Sequence, residues 1–291
     1  MDHKQLVSII QNMTGVYLTD DKIYLLDSRL RDLMKEYSLQ NYDEVAARLI
    51  GGTDENFTHR LIDQITTHET KFFRDESIFN ALVDQMIPEW MDRRGIQASS
   101  ARSETLSIWS AACSTGQEPY SIAMIIRDRY PLIYPNLRIT ATDISRDSIE
   151  RAKAGIYTNF EIQRGMPPHM LTKYFTREKD GYRITNELKT GIDFKTHNLV
   201  SDPFPGPFDF IFCRNVLIYF DEGTRKTILV KLRDSLKDDG ALVLGSSENL
   251  IGSLTNYIDR EAGLARNYEF STQDTFIKKR ASNKEIQANV F

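Results

Sequence analysis

Thr105-Leu-Ser-Ile-Trp-Ser-Ala-Ala-Cys-Ser-Thr-Gly-Gln-Glu-Pro-Tyr-Ser121 decides how this chain folds. The apolar run Leu106 to Ala112 reads as a buried strand, Ser114-Thr-Gly116 as a tight turn, and Glu118 onward as a helix with Pro119 in its first turn. A strand, a small-residue turn and a helix start bring unpaired N–H groups and an accessible backbone to one place, as a nucleotide-like cofactor requires. The full G-x-G-x-x-G spacing is missing, so a plain strand-to-helix turn reads equally well from this stretch alone.

Working outward towards the C-terminus, strands and helices alternate, which predicts a parallel sheet with helices on both faces. Leu137 to Ala141 is the second strand, and Ser145 caps a helix through Ala152. The second strand runs into Thr142-Asp143, where an acid accepts ribose hydroxyls in nucleoside sites or else caps the next helix. Gly155 to about Leu188 breaks the alternation. Met166-Pro-Pro-His reads as a helix start or turn, and Tyr174 to Ile184 as a hairpin turning at Asp180-Gly181; this insertion is either a recognition element or a surface decoration. The sheet resumes with Gly191 to Asn198, then Phe208 to Cys213, with Arg214, Asn215 and Tyr219 at the end where such folds place ligands. A helix over Glu222 to Leu236, a strand over Ala241 to Leu244, a final antiparallel pair within Asn256 to Phe270 and a polar tail from Lys278 complete the chain.

Towards the N-terminus, residues 1 to about 90 read as helical, with apolar stripes at Leu6, Ile9, Ile10, Met13 and, on a helix that Asp20-Asp21 can start, at Ile23, Leu26, Leu30, Leu33. These stripes suit a small bundle, which also offers a docking surface. Ile65-Thr-Thr-His-Glu-Thr-Lys-Phe-Phe-Arg-Asp75 reads as helix caps and core plugs, or as a polar lid anchored by Phe72 and Phe73. Arg93 to Glu104 is polar and small, marking a connection. The resulting division is a helical domain over 1–90, a linker over 91–104, a sheet domain over 105–275 with an insertion at about 155–190, and a tail over 276–291.

The 291 residues carry a formal charge of −4 and are 41% hydrophobic, enough for a normal core and no inducement to bind nucleic acid. Two cysteines, Cys113 and Cys213, in apolar strands suit reduced thiols, and no apolar run reaches a membrane span, so the expectation is a cytoplasmic protein without membrane insertion.

Four stretches together resemble one family, the chemotaxis receptor glutamate methyltransferases (CheR): Thr66 to Arg74, Ser110 to Ser121, Ala141-Thr-Asp143, and Phe208 to Asp221. The resemblance runs from the N-terminal helices to about Phe270 and rests on the combination. It implies a Rossmann-like doubly wound α/β methyltransferase sheet with a small antiparallel β subdomain inserted, preceded by an all-α domain that docks on the receptor. It implies S-adenosylmethionine as cofactor, left as S-adenosylhomocysteine, and no metal. Thr70, Arg74 and Glu118 would hold the methionine end and Asp143 the ribose; Asn198, Leu199, Cys213 and Arg214 would line the rest of the pocket. Arg74 and Tyr219 would face the methyl group. His68 occupies a cofactor-contact position where many family members carry Asn. The implied partners of this monomer are chemoreceptor cytoplasmic helices and, in some members, a receptor C-terminal peptide at the β subdomain. A scaffold that binds the cofactor without turnover, or a methyltransferase acting on another substrate, are the competing readings.

The chemistry suits these residues. A glutamate side chain is ionised at neutral pH, its ordinary pKa being about 4.3, so it attacks a sulfonium methyl without a general base. Rate then comes from in-line positioning in a water-poor pocket.

Overall fold

The computed structural model describes residues 4–19, 24–97, 104–245 and 248, together with the backbone of two strands at 267–270 and 274–278. Four helices come first: α1 (Lys4–Thr14), α2 (Tyr24–Glu36), α3 (Tyr42–Gly51) and α4 (Glu55–Ile65). Their ends follow from local chemistry. Asn41 and Asp54 cap α3 and α4 by accepting N–H bonds from Glu44 and Phe57, and α3 stops at Gly52 in the left-handed region. Leu6, Ile10, Leu26, Leu30, Leu33, Val45, Phe57, Leu61 and Ile65 form this bundle's own core. The start expected for α2 at Asp20-Asp21 lies outside the described residues.

Residues 66–75 are not helical, and α5 (Glu76–Ala81), a π-helical turn (Leu82–Met86) and α6 (Ile87–Arg93) follow them. Their apolar faces belong elsewhere than expected. Phe72, Ile78, Phe79, Leu82, Ile87 and Trp90 pack with Leu106, Ile108, Phe210 and Phe212, so the cores divide near Ile65 rather than near residue 90. The periodicity of a helix reports that it has a buried face but not which core receives it.

The main sheet comprises β1 (Leu106–Ala111), β2 (Leu137–Asp143), β6 (Ile192–Thr196), β7 (Phe208–Cys213), β8 (Leu236–Leu244), β9 (Asn267–Phe270) and β10 (Asp274–Lys278), in the order β6-β2-β1-β7-β8-β10-β9. The strands up to β8 pair in parallel, while β10 is antiparallel to both β8 and β9. After β1 the chain moves outward through β2 to β6, then returns to the other side of β1. The reversal between β1 and β7 opens a crevice at their carboxyl ends. Side chains alternate across the sheet. Ile108, Phe210 and Phe212 face the layer holding α7 (Gln117–Arg129), whereas Trp109, Ala111, Ile211 and Cys213 face α12 (Glu222–Asp234).

Between β2 and β6 lie α8 (Arg146–Ala154), β3 (Ile156–Tyr157), α9 (Asn159–Gln163), α10 (Pro168–Tyr174), β4 (Phe175–Glu178), β5 (Gly181–Ile184) and α11 (Asn186–Lys189), with the second sheet ordered β3-β5-β4. The inserted subdomain is thus present, but its hairpin turns at Lys179-Asp180, since Gly181 already pairs with Glu178. Gly181 is required for space: a Cβ there would stand 2.3 Å from the Tyr157 carbonyl oxygen of β3. Three other boundaries differ. Leu236, expected to end α12, begins β8; the final pair is β9 with β10; and β10 extends to Lys278, into the expected tail. Gly240 lies within β8, where a Cβ would stand 2.9 Å from the Phe208 carbonyl oxygen, so it marks close strand packing.

The end of the sheet opposite the crevice is fixed by Asp209, a fully buried carboxylate. It accepts from Trp90 Nε1 at 3.0 Å, from Ser107 N at 2.8 Å and Oγ at 2.7 Å, and pairs with Lys237 at 2.9 Å and Arg94 at 2.6 Å. Burial alone would raise its pKa, but these donors and cations hold it below the ordinary carboxylate value. Removing the charge strands two cations, at a cost of about 3–5 kcal/mol for a broken buried pair. Asp209→Asn is therefore expected to lower the melting temperature by roughly 6–15 °C. Because its folded pKa is depressed, Asp209 stabilises the parent above the unfolded-state value and loses that contribution as pH falls through the folded one. The thermal difference between the two proteins should accordingly shrink in acid; an unchanged melting temperature at neutral pH would contradict this role.

Candidate active site

The crevice is a cavity of about 250 Å³ walled by four segments: the loop after α1, the 65–74 segment, the turn after β1 with the end of β2, and the loop after β7. The turn after β1 is sharply folded, with Ala112, Ser114 and Gly116 all in the left-handed region. At Gly116 a Cβ would stand 2.8 Å from Ala152 Cβ, so the turn and α8 close tightly. Cys113 N bonds the Thr142 carbonyl at 2.8 Å, which sets the turn against β2.

Asp143 lies in this wall, buried at the end of β2. One carboxylate oxygen accepts Ser114 N at 2.8 Å and the other Ser145 N at 2.9 Å. Burial raises its pKa above the ordinary range, against the pull of these N–H groups. The helix cap is Ser145, which accepts from Ser148 N, so Asp143 remains directed at the cavity rim. Glu118, in the first turn of α7, accepts from Ser110 Oγ at 2.7 Å and from Arg214 at 2.9 Å.

Arg214 joins the walls. Its side chain is 2% exposed, and besides Glu118 it reaches Asp75 at 2.6 Å and the Arg74 carbonyl at 3.0 Å. Its Nε is buried without a partner among the described residues. The 65–74 segment held by this clamp is a polar lid with aromatic anchors. Phe72 packs edge-on against Tyr157 and Phe175, with centroids 4.8 and 5.7 Å apart, and Phe73 against Phe79. Thr70 and Arg74 line the cavity, Arg74 donating to the Glu69 carbonyl at 3.0 Å. His68 also lines it, but its ring is committed: Nε2 lies 3.0 Å from the Asp63 carbonyl and 3.2 Å from Thr66 Oγ1, and Nδ1 3.0 Å from Ser148 Oγ. It ties the lid to α4 and α8.

Tyr219 stands in the wall on a single 3-10 turn, Leu217–Tyr219. The chain after α1 lies across it. Tyr17 N donates to the Tyr219 carbonyl at 2.7 Å, Val16 bridges Phe220, and Gly15 packs where a Cβ would meet Val200 at 2.6 Å.

Asn198, Leu199 and Cys213, implied by the resemblance to line the pocket, lie outside the cavity wall. Strand alternation points Cys213 to the α12 face, where it and Leu199 are buried with Trp109 and Leu244. Asn198 instead ties α1 in place through its amide, 2.6 Å from the Met13 carbonyl. Sequence reading missed the wall contributed by Thr14, Val16, Tyr17, Leu18 and Arg29, because the helical stripes carry no sign of which loop they deliver to a remote crevice. It also missed Glu248, whose buried carboxylate accepts N–H bonds from Asn215, Val216, Leu217 and Gly245. An acid just past the end of a buried strand was the available signal, the same one that marked Asp143.

Two family models match the chain: the CheR methyltransferase all-alpha domain over residues 1–66 and the CheR methyltransferase SAM binding domain over residues 68–263. Their junction agrees with the division of the cores near Ile65. A chemotaxis protein methyltransferase of Vibrio parahaemolyticus is 36% identical over 256 residues, covering 86% of this chain and 90% of its own. A chemotaxis protein methyltransferase 1 of Pseudomonas aeruginosa is 36% identical, covering 83% and 87%, and one of Escherichia coli is 33% identical, covering 84% and 83%. With both domains matched and the crevice at the sheet reversal in place, the chain belongs to the CheR family of S-adenosylmethionine-dependent chemotaxis methyltransferases.

Proposed function

We propose that this enzyme esterifies glutamate side chains on chemoreceptor cytoplasmic helices, with Arg74 and Tyr219 at the methyl-transfer site. The observation that carries this reading is the clamp of Arg214 on Glu118, Asp75 and the Arg74 backbone, which brings the lid and the β7 loop to one cavity. The donor set suits the cofactor. The buried, unpartnered Nε of Arg214 fits a carboxylate; Glu118 fits an ammonium, and Asp143 fits a pair of hydroxyls because each of its oxygens is given only one backbone N–H. Thr70 and Arg74 complete this set. When bound, the sulfonium of S-adenosylmethionine supplies an electrophilic methyl and departs as a neutral thioether.

Arg74 pairs with the incoming carboxylate and aims one oxygen at the methyl. It screens the carboxylate's charge and orients it through a planar fork of N–H donors. Tyr219, half-buried across the cavity, limits the space at the reacting carbon and excludes water. The helical domain contributes the outer wall through Tyr17 and Leu18, against which a receptor helix would lie. A receptor C-terminal peptide would add to the outer edge of β4, where Thr176 and Arg177 are exposed. The enzyme acts as a cytoplasmic monomer, and its Cys113 and Cys213 are free and buried.

Tritiated S-adenosylmethionine and receptor cytoplasmic fragments, with and without their last residues, test the substrate: the reading requires base-labile label on glutamates, and base-stable label elsewhere would replace it. Weaker labelling of truncated fragments supports the β4 site, and equal labelling removes it. Tyr219→Phe should cut turnover about 100-fold while S-adenosylhomocysteine affinity by calorimetry stays within about threefold, and Arg74→Ala should cut turnover about 100-fold even at saturating cofactor, far more than it weakens S-adenosylhomocysteine binding; full turnover in either variant ends that residue's assignment.

The raised pKa of Asp143 gives a pH dependence. Hydroxyls donate to the ionised carboxylate, so bound cofactor favours deprotonation. Affinity is then complete above the raised pKa and falls as pH drops through it. Calorimetry with S-adenosylhomocysteine should show this acid loss, and Asp143→Asn should bind about 10-fold or more weakly at neutral pH with a flatter profile.

A further inference from the structure

The loop between β7 and α12 must leave a buried strand, turn at once and present Arg214 and Tyr219 to one cavity. Its own sequence, Arg214-Asn-Val-Leu-Ile-Tyr219, offers an asparagine that tolerates the left-handed region but nothing to hold the residues after it in place. Asn215 sits at φ 58°, in the left-handed region. The next two residues turn into a single 3-10 turn, leaving successive N–H groups of Asn215, Val216 and Leu217 converging in the protein interior. Converging N–H groups form a nest for an anion.

Glu248 fills it. Its residue is 5% exposed. Oε1 accepts Val216 N and Leu217 N, each at 2.7 Å, and Oε2 accepts Asn215 N at 2.7 Å and Gly245 N at 2.8 Å. Gly245 permits the approach, since a Cβ there would lie 2.8 Å from Asn215 Nδ2 and 2.9 Å from Glu248 Oε2. All four bonds are made by an acceptor-only group, so a carboxamide of the same shape is a poor substitute: its NH₂ would oppose two of the four N–H donors.

We infer that Glu248 is a positioning residue for methyl transfer, acting through the backbone of residues 215–217 to hold Tyr219 at the cavity. This role rests on that proposed for Tyr219 at the methyl-transfer site. Charge-assisted bonds from four amides restrain a turn that would otherwise cost conformational strain at Asn215. The carboxylate lies behind the loop, and Glu248 is not among the residues that line the cavity. Its influence is on where Tyr219 stands.

The test uses the full chain with a receptor fragment as substrate, at a temperature where circular dichroism reports each variant folded. Glu248→Gln should bind S-adenosylhomocysteine within about threefold of the parent yet turn over about 30-fold or more slowly. Glu248→Asp, which keeps both acceptors on a shorter arm, should recover most of the loss. Combined with Tyr219→Phe, Glu248→Gln should cost no more than the worse single variant, because both act on one group. A merely structural role would instead lower turnover in step with the folded fraction, or add its effect to that of Tyr219→Phe, and either result overturns the inference. If Glu248→Gln does not fold, Glu248→Asp decides: parental turnover with a lowered melting temperature counts against it, reduced turnover at parental affinity supports it. Tyr219→Phe measured alone separates the two claims, since full turnover there refutes the role of Tyr219 while leaving any selective loss in Glu248→Gln to be read on the loop itself.

Discussion

A buried guanidinium cannot be left unpaired, and the active site is arranged around that constraint. Arg214 leaves the end of β7 with almost no access to water, so its charge must be met by protein groups. Glu118 comes from the helix after β1, and Asp75 and the Arg74 carbonyl come together from the end of the lid, while Arg214 itself belongs to β7's end. Meeting one cation therefore fixes three segments relative to each other. The Rossmann-like sheet supplies the place, at the reversal between β1 and β7, and the ion network determines which loops close over it.

The two ends of the sheet handle buried charge in parallel ways. At the crevice a cation is surrounded by acids; at the far end Asp209 is surrounded by Lys237, Arg94, Trp90 and Ser107. The latter network joins α6 to the sheet, which accounts for residues 76–93 packing with the methyltransferase core and not with the helical bundle. One network shapes the site, and the other anchors the lid's downstream helices so that the lid has a rigid base.

Much of this was legible in residue order. The strand-turn-helix at Leu106–Gln117, the acid ending β2, the Ser145 cap and the strand Phe208–Cys213 all announce themselves through local pattern, because hydrophobic runs and caps act over a few residues. What escaped depends on contacts distant in sequence. The turn of the inserted hairpin moved by one residue because Gly181 answers to the backbone of β3 and not to its own turn. Cys213 and Leu199 were assigned to the pocket by resemblance, whereas the two-residue period of β7 and the α12 core draw them away. His68 keeps a place in the wall but spends its ring on Asp63, Thr66 and Ser148.

The short bridge between Val16 and Phe220, with Tyr17 bonded to the Tyr219 carbonyl, ties the helical bundle to the loop that carries Tyr219. Two regions with separate cores and separate family models are consequently not interchangeable parts. A helical domain transplanted from a relative would bring its own tether, and unless that tether matched the loop it crosses, the hybrid would lose part of the cavity wall. Change in the helical domain is thereby coupled to the geometry of the cavity through a single strand-like crossing.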